Sequence, residues 1–168
     1  FGIKTFGHSG TYAPVAELDS TSFFGCDLTT TDLPKTELCV LIGTNPRFEA
    51  AVFNIQLRKR FTFGLFKTYS VGVPHSPTFA TTFTGISTSF LIKLGEGSSK
   101  LCKEVVTKTS AIIAGSSVFK RVDRNLFLSV FASLKRVANV GVDKDLMTGF
   151  LNRETNAVGA AACGIKAV

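Results

Sequence analysis

A chain of 168 residues, 45% hydrophobic and 18% charged with a mean hydropathy of +0.27, suffices for one domain with a sizeable core and excludes two large ones. It holds no uninterrupted apolar run of the ~18 residues that a membrane span needs, and no signal peptide is expected. Nineteen Lys plus Arg against twelve Asp plus Glu give a net charge of +7 and a pI near 9.4, but the cations are scattered and form no block of the kind that marks a nucleic-acid arm.

Residues 1–20 are rich in Gly and polar residues without period, so an extended arm is expected there, with 21–168 as a single domain. The chain opens at Phe1 in place of Met, as a processed terminus or a fragment would. Residues 27–34 carry five Thr or Asp and end in Pro34, which predicts a turn or short helix. Leu38–Ile42 is continuously apolar, as a strand buried on both faces of a parallel sheet would be. It stops at Gly43-Thr44-Asn45-Pro46, and a helical pattern starts at once. Asn45 suits the N-cap, Pro46 the first helical position and Glu49 the first turn.

That helix is predicted to run from about Pro46 to Phe61, and it has two apolar faces. Phe48, Ala51, Val52 and Ile55 share one side; Ala50, Phe53, Leu57 and Phe61 share nearly the opposite side, with polar stripes between. A surface helix needs one such stripe. Leaving Phe53, Leu57 and Phe61 in water would forgo roughly 1.5–3 kcal/mol each, so they are expected at an interface or in a second core layer, with Arg47 and Arg58 beside them. Arg58-Lys59-Arg60, the densest basic cluster, closes the helix, where cations complement its dipole; a binding patch is the alternative reading.

Residues 67–73 read as the next strand, stopped by Pro74 and Pro77, and 76–88 as a loop rich in Thr, Ser and Phe. A weak helix from Phe90 to Leu94 ends at Gly95 and Gly97; 99–108 is a helix, 110–114 a strand, and 122–137 a helix with Leu126, Val130 and Leu134 on one face. Residues 137–142 are expected to form a fourth strand and 146–158 a last helix before a small-residue tail. The alternation predicts an α/β fold: a Rossmann-like three-layer domain with a mostly parallel sheet of about four strands and helices on both faces.

A strand, a tight turn and a helix start make a potential anion site, so Thr44 and Asn45 could bind a phosphate. The turn lacks the glycine spacing that brings a pyrophosphate close, which favours Gly43, Thr44, Asn45 and Pro46 as a structural turn. Gly95-Glu96-Gly97-Ser98-Ser99-Lys100 lacks Walker spacing, follows a helical segment and reads as a loop. His8 and His75 are the two histidines; there is no nucleophile elbow and no signal for paired carboxylates. Cys26, Cys39, Cys102 and Cys163 are separated by 12, 62 and 60 residues, which matches no zinc or iron–sulfur pattern. Cys39 reads as a small buried hydrophobe, and a reducing compartment fits. No catalytic, cofactor-binding or metal residue is nominated.

Gly43-Thr44-Asn45-Pro46-Arg47-Phe48-Glu49-Ala50, continued by Phe53-Asn54 and Leu57-Arg58-Lys59, resembles the large iron–sulfur subunit of respiratory complex I, in its molybdopterin-oxidoreductase-like part. Val71-Gly72 with Pro74 and Thr78-Phe79, and Gly115-Ser116-Ser117 with Arg121 and Asp123, resemble two further stretches of that family. The likeness runs from about Ser22 to Asp123. Ala51 stands where the family usually has Pro, Gln56 where it often has Arg, and Arg124 where Gly is usual.

The resemblance implies a carboxy-terminal piece of that subunit. The Cys-rich cluster motifs of the family's amino-terminal part do not occur in this sequence. Molybdenum-using relatives place a pterin dinucleotide against a Gly-x-Asn-Pro-type turn; the complex I domain is understood to have lost it, and 168 residues could not enclose it. The implied role is a structural subunit of the peripheral arm, on the matrix side of the inner mitochondrial membrane, without cofactor. It would dock beside other complex I subunits, above all a separate chain that carries the iron–sulfur clusters, with no nucleic acid and no membrane span of its own. Two alternatives stand beside it: a basic mitochondrial RNA- or ribosome-associated protein, from the +7 charge, and a small nucleotide-dependent enzyme using the Thr44-Asn45 turn.

Overall fold

Strand β2 (Leu38–Ile42) lies at the centre of a five-stranded sheet, and all five of its residues are buried. A computed structural model describes residues 7–8, 25–26, 28–138, 146–152, 157–163 and 166–167. The rest of the sheet is β3 (Lys67–Val71), β4 (Thr82–Gly85), β5 (Ser110–Gly115) and β6 (Leu146–Leu151), in the order β4-β3-β2-β5-β6 with every pairing parallel. Strand β1 (Gly7–His8) pairs separately, in parallel, with β7 (Lys166–Ala167); otherwise the arm expected over 1–20 lies outside the described residues.

Side chains alternate along a strand, so a buried sheet feeds two cores. Leu38, Val40, Ile42, Ile112 and Ala114 meet α3 (Thr88–Gly95), α4 (Lys100–Thr107) and α5 (Arg124–Ala138) through Leu91, Leu94, Leu101, Val105, Phe127 and Phe131. Phe150 of β6 packs 4.9 Å from both Phe119 and Phe131, centroid to centroid. On the other face Cys39, Leu41, Ala111 and Ile113 meet Leu57 of α2 (Ala51–Thr62), with Leu28, Leu33, Phe66 and Phe79. The result is the expected three-layer α/β domain, with one strand more than the four or so read from the sequence.

Four elements differ from their expectation. The helix read as continuous from Pro46 to Phe61 is two: α1 (Pro46–Glu49) and α2, separated by Ala50, which leaves the helical region (φ −151°, ψ 74°). The loop of 76–88 contains β4, whose Thr-Phe-Thr run is β-prone and adds an edge to β3 with a register shift at Ser70/Val71. Residues 146–151 are a strand instead of the start of a helix; among the described residues beyond them, α6 (Ala157–Ala162) is helical. Gly149 of β6 faces Cys26, and a side chain there would meet Cys26 Sγ at 2.3 Å. The fourth strand placed at 137–142 begins on the last turn of α5, and 139–145 lie outside the described residues.

Candidate functional site

The first crossover, from β2 through α1 and α2 to β3, covers one face of the sheet, whereas α5, which leads from β5 to β6, covers the other together with α3 and α4. The connections that leave β2 and β5 therefore diverge at the carboxyl ends of these neighbouring strands. Such a switch point opens the crevice where doubly wound sheets hold ligands. Here it is a cleft of about 490 Å³, walled by Thr44, Asn45, Glu49, Gly72, His75, Ser117 and Arg121, among others.

The three family-like stretches of the sequence converge on this cleft. Gly43 turns the chain at φ +57°, and its N–H donates to Val71 O at 2.8 Å. Gly72 follows at φ +129°, and a Cβ there would stand 3.4 Å from Gly43 N and Cα. From the third stretch, Ser117 Oγ donates to Gly43 O at 2.6 Å. Gly115 is closest of all: a Cβ there would meet Gly43 O at 2.6 Å and Thr44 Cβ at 2.8 Å. Behind the turn, buried Asn54 and Thr78 exchange hydrogen bonds of 3.1 and 3.4 Å, which ties α2 to the segment after β3.

Asn45 caps α1 as expected, its Oδ1 accepting from Arg47 N at 3.2 Å, with Pro46 next and buried. The sequence reading missed the role of Glu49. Its carboxylate folds back over the turn, where Oε2 accepts from Thr44 Oγ1 at 2.7 Å and lies 3.0 Å from the position of a Gly115 Cβ. A negative charge from the chain itself thus sits between the carboxyl ends of β2 and β5, where a bound phosphate would be sought. The available signal was a threonine just before the N-cap with an acid in the following turn, a variant of reciprocal capping.

The other charges of the cleft are partly matched already. Arg121 lines the cleft but is held by Asp123 through two bonds of 2.7 and 2.8 Å. That hydrogen bond, before any longer-range attraction, keeps the Asp123 carboxyl below the usual range and raises the Arg121 guanidinium above its own. Helix α1 has four residues, too few for a useful dipole at its start. His75 lines the cleft with its ring edge-on to Phe83, while Ser117 is engaged by Gly43, so no nucleophile–base pair forms. Glu49 stands against the anionic diphosphate of a pterin dinucleotide at the turn, while His75 Nε2 is a buried nitrogen of a cleft-lining residue without a hydrogen-bond partner among the described residues. Among the described residues no three of His, Cys, Asp and Glu stand together as a metal site would require, and no helix is long and apolar enough to cross a membrane.

Gly95-Glu96-Gly97-Ser98 joins α3 to α4, with Gly97 at φ +76° and Ser99 capping α4. Of the residues nominated for an interface, Leu57 is wholly buried against the sheet, and Phe53 and Phe61 pack half-buried beside it, Phe61 with its ring 6.0 Å from Phe79. Arg47 and Arg58 are exposed. The face that α1 and α2 turn outward carries Phe48, Val52 and Ile55, exposed to 76, 66 and 61%.

Comparison with known proteins agrees with the geometry. The profile of the molybdopterin oxidoreductase family matches residues 2–167. The chain is 32% identical over 152 residues to the NADH-ubiquinone oxidoreductase 75 kDa subunit of Reclinomonas americana, covering 88% of this chain and 22% of that protein. It is 30% identical over 135 residues to an NADH-quinone oxidoreductase subunit of Rickettsia bellii, covering 79% and 20%. The chain thus spans about a fifth of the length of these relatives. A chain of the formyltransferase/hydrolase complex (FhcABCD) from Methylorubrum extorquens shares the fold, with a TM-score of 0.59 at 12% identity over 93% of this chain and 49% of that one.

Proposed function

The chain belongs to the molybdopterin oxidoreductase family, and we propose that it serves as a structural, non-redox part of the large iron–sulfur subunit of respiratory complex I. In this reading it sits in the peripheral arm on the matrix side of the inner mitochondrial membrane and supports electron transfer from NADH to quinone without carrying a centre. Its partners are other complex I subunits, first among them a separate chain that bears the clusters. The likeness to the Reclinomonas 75 kDa subunit and to its Rickettsia counterpart supports the assignment to the complex.

Glu49 is the observation that carries the non-redox part. A carboxylate hydrogen-bonded to Thr44 within the crevice replaces an external anion with an internal one. Like charges at this distance repel, so a diphosphate entering the cleft meets the acid before it reaches the turn. What remains of the site is its framework: Gly43, Gly72, Gly115 and Ser117 hold three strand ends together.

Mitochondrial membranes solubilised in mild detergent and resolved on a native gel test the reading. The chain is expected by mass spectrometry in the band with NADH dehydrogenase activity, alongside cluster-bearing subunits. Sedimentation with ribosomal RNA, lost steeply as salt rises, would instead establish it as an RNA-associated protein.

A further inference from the structure

We infer that the outward face of α1 and α2 is the seat of a protein partner whose surface is apolar at the centre and acidic at the rim. The partner belongs to the part of the large subunit that this domain does not contain, so the inference rests on the complex I reading above. Phe48 of α1 and Val52 and Ile55 of α2 stand 76, 66 and 61% exposed on two helices that follow each other directly. Within α2, Val52 and Ile55 are three apart and Lys59 is four further on, which places them on one stripe. Its opposite side is already taken by the sheet through Phe53, Leu57 and Phe61.

Three cations surround the stripe. Arg47 lies 5.8 Å over the Phe48 ring, and Arg58 and Lys59 follow on the exposed side of α2. None of the four ion pairs among the described residues involves them; those pairs belong to Lys35, Lys67, Lys108 and Arg121. An apolar centre ringed by unmatched positive charge is the complement of an apolar patch ringed by carboxylates. The choice of occupant follows from length. Relatives in which this domain is 22% and 20% of the chain must pack the remainder somewhere around it, and this face lies outside both the cleft and the cores.

The test uses the full chain, returned to mitochondria as wild type, as Val52→Asp with Ile55→Asp, as Val52→Thr with Ile55→Thr, and as Arg58→Glu with Lys59→Glu. Melting of each purified chain reports folding, and recovery in the NADH-dehydrogenase band reports docking. The expected result is unchanged melting with a tenfold or greater loss from the band for the aspartate pair and smaller losses for the other two. The threonine pair keeps the inference testable if the aspartate pair fails to fold. A photo-crosslinker at position 55 is expected to label an acidic stretch of the cluster-bearing subunit. Recovery of folded variants at the wild-type level would overturn the inference and leave the complex I reading intact. So would crosslinks to a second copy of the chain or to its own residues 1–24. Wild type absent from the band would overturn both.

Discussion

Leu65 occupies the left-handed region at φ +54° while 95% exposed, so its side chain contributes strain and no burial. Leu65→Gly is expected to stabilise the domain by about 0.5–1 kcal/mol, read as a shift of the urea midpoint. Gly115 is the opposite case. A methyl there meets Gly43 O at 2.6 Å, a backbone atom with nowhere to go, so Gly115→Ala is expected to cost about 1–3 kcal/mol in the same measurement. Glu104 gathers Lys67, Lys108 and Tyr69 between α4 and β3. Its carboxyl is held below the usual glutamate range, first by the Lys67 hydrogen bond. A folded value below the unfolded one of about 4.3 gives stability that is complete above that pH and is lost as pH falls through the lowered value. Glu104→Gln should therefore lower the neutral plateau of a melting-temperature profile slightly and converge with the wild type in acid, where the wild type has lost the same contribution. At this scale the sequence was legible where one residue type has one use: Asn45 and Pro46 cap a helix as written, and Cys39 is buried, its thiol pushed up to about 12. Glu49 was not legible, because its partner depends on how far the turn lets the side chain fold back.

Apolar runs and faces, with the Pro and Gly that stop them, identified β2, β3, β5 and the helices α3 to α5 from sequence, because these elements are defined by their own residues. The misread elements are defined by others. Strand β4 is four residues at an exposed edge, fixed by its ladder to β3 and by Thr84 Oγ1 donating to Ser70 O at 3.1 Å. Strand β6 has a neutral sequence and becomes a strand because β5 pairs along its whole length and Phe150 N bonds to Gly25 O. The break at Ala50 is legible in hindsight. Ala51 is the first residue of α2, where a missing N–H costs nothing, and it is the position where the complex I family usually has Pro. Ala50 has already left the helical region, which a following Pro disfavours. Ala51→Pro is expected to gain about 0.4–1 kcal/mol and raise the melting temperature by about 1–4 °C by calorimetry. Were α1 and α2 one uninterrupted helix, the same change would destabilise it.

As a whole, the molecule keeps the crevice of a cofactor-binding fold and fills its critical point with its own acid. The parallel sheet, the switch point and the meeting of Gly43, Gly72 and Gly115 are what a ligand-holding domain of this family would require. In the structural role proposed above, Glu49 on Thr44 and Arg121 paired with Asp123 occupy that framework. The family-like motifs were legible as sequence because they are contiguous. Their convergence was not, since it joins residues more than seventy positions apart, as in the Ser117–Gly43 bond. The most direct measurement is the molybdenum and tungsten content, together with acid-released pterin fluorescence, of the chain purified in its native complex. We expect both far below one equivalent per chain; one metal and one pterin bound per chain, lost when the Thr44–Glu49 turn is disrupted, would contradict the account.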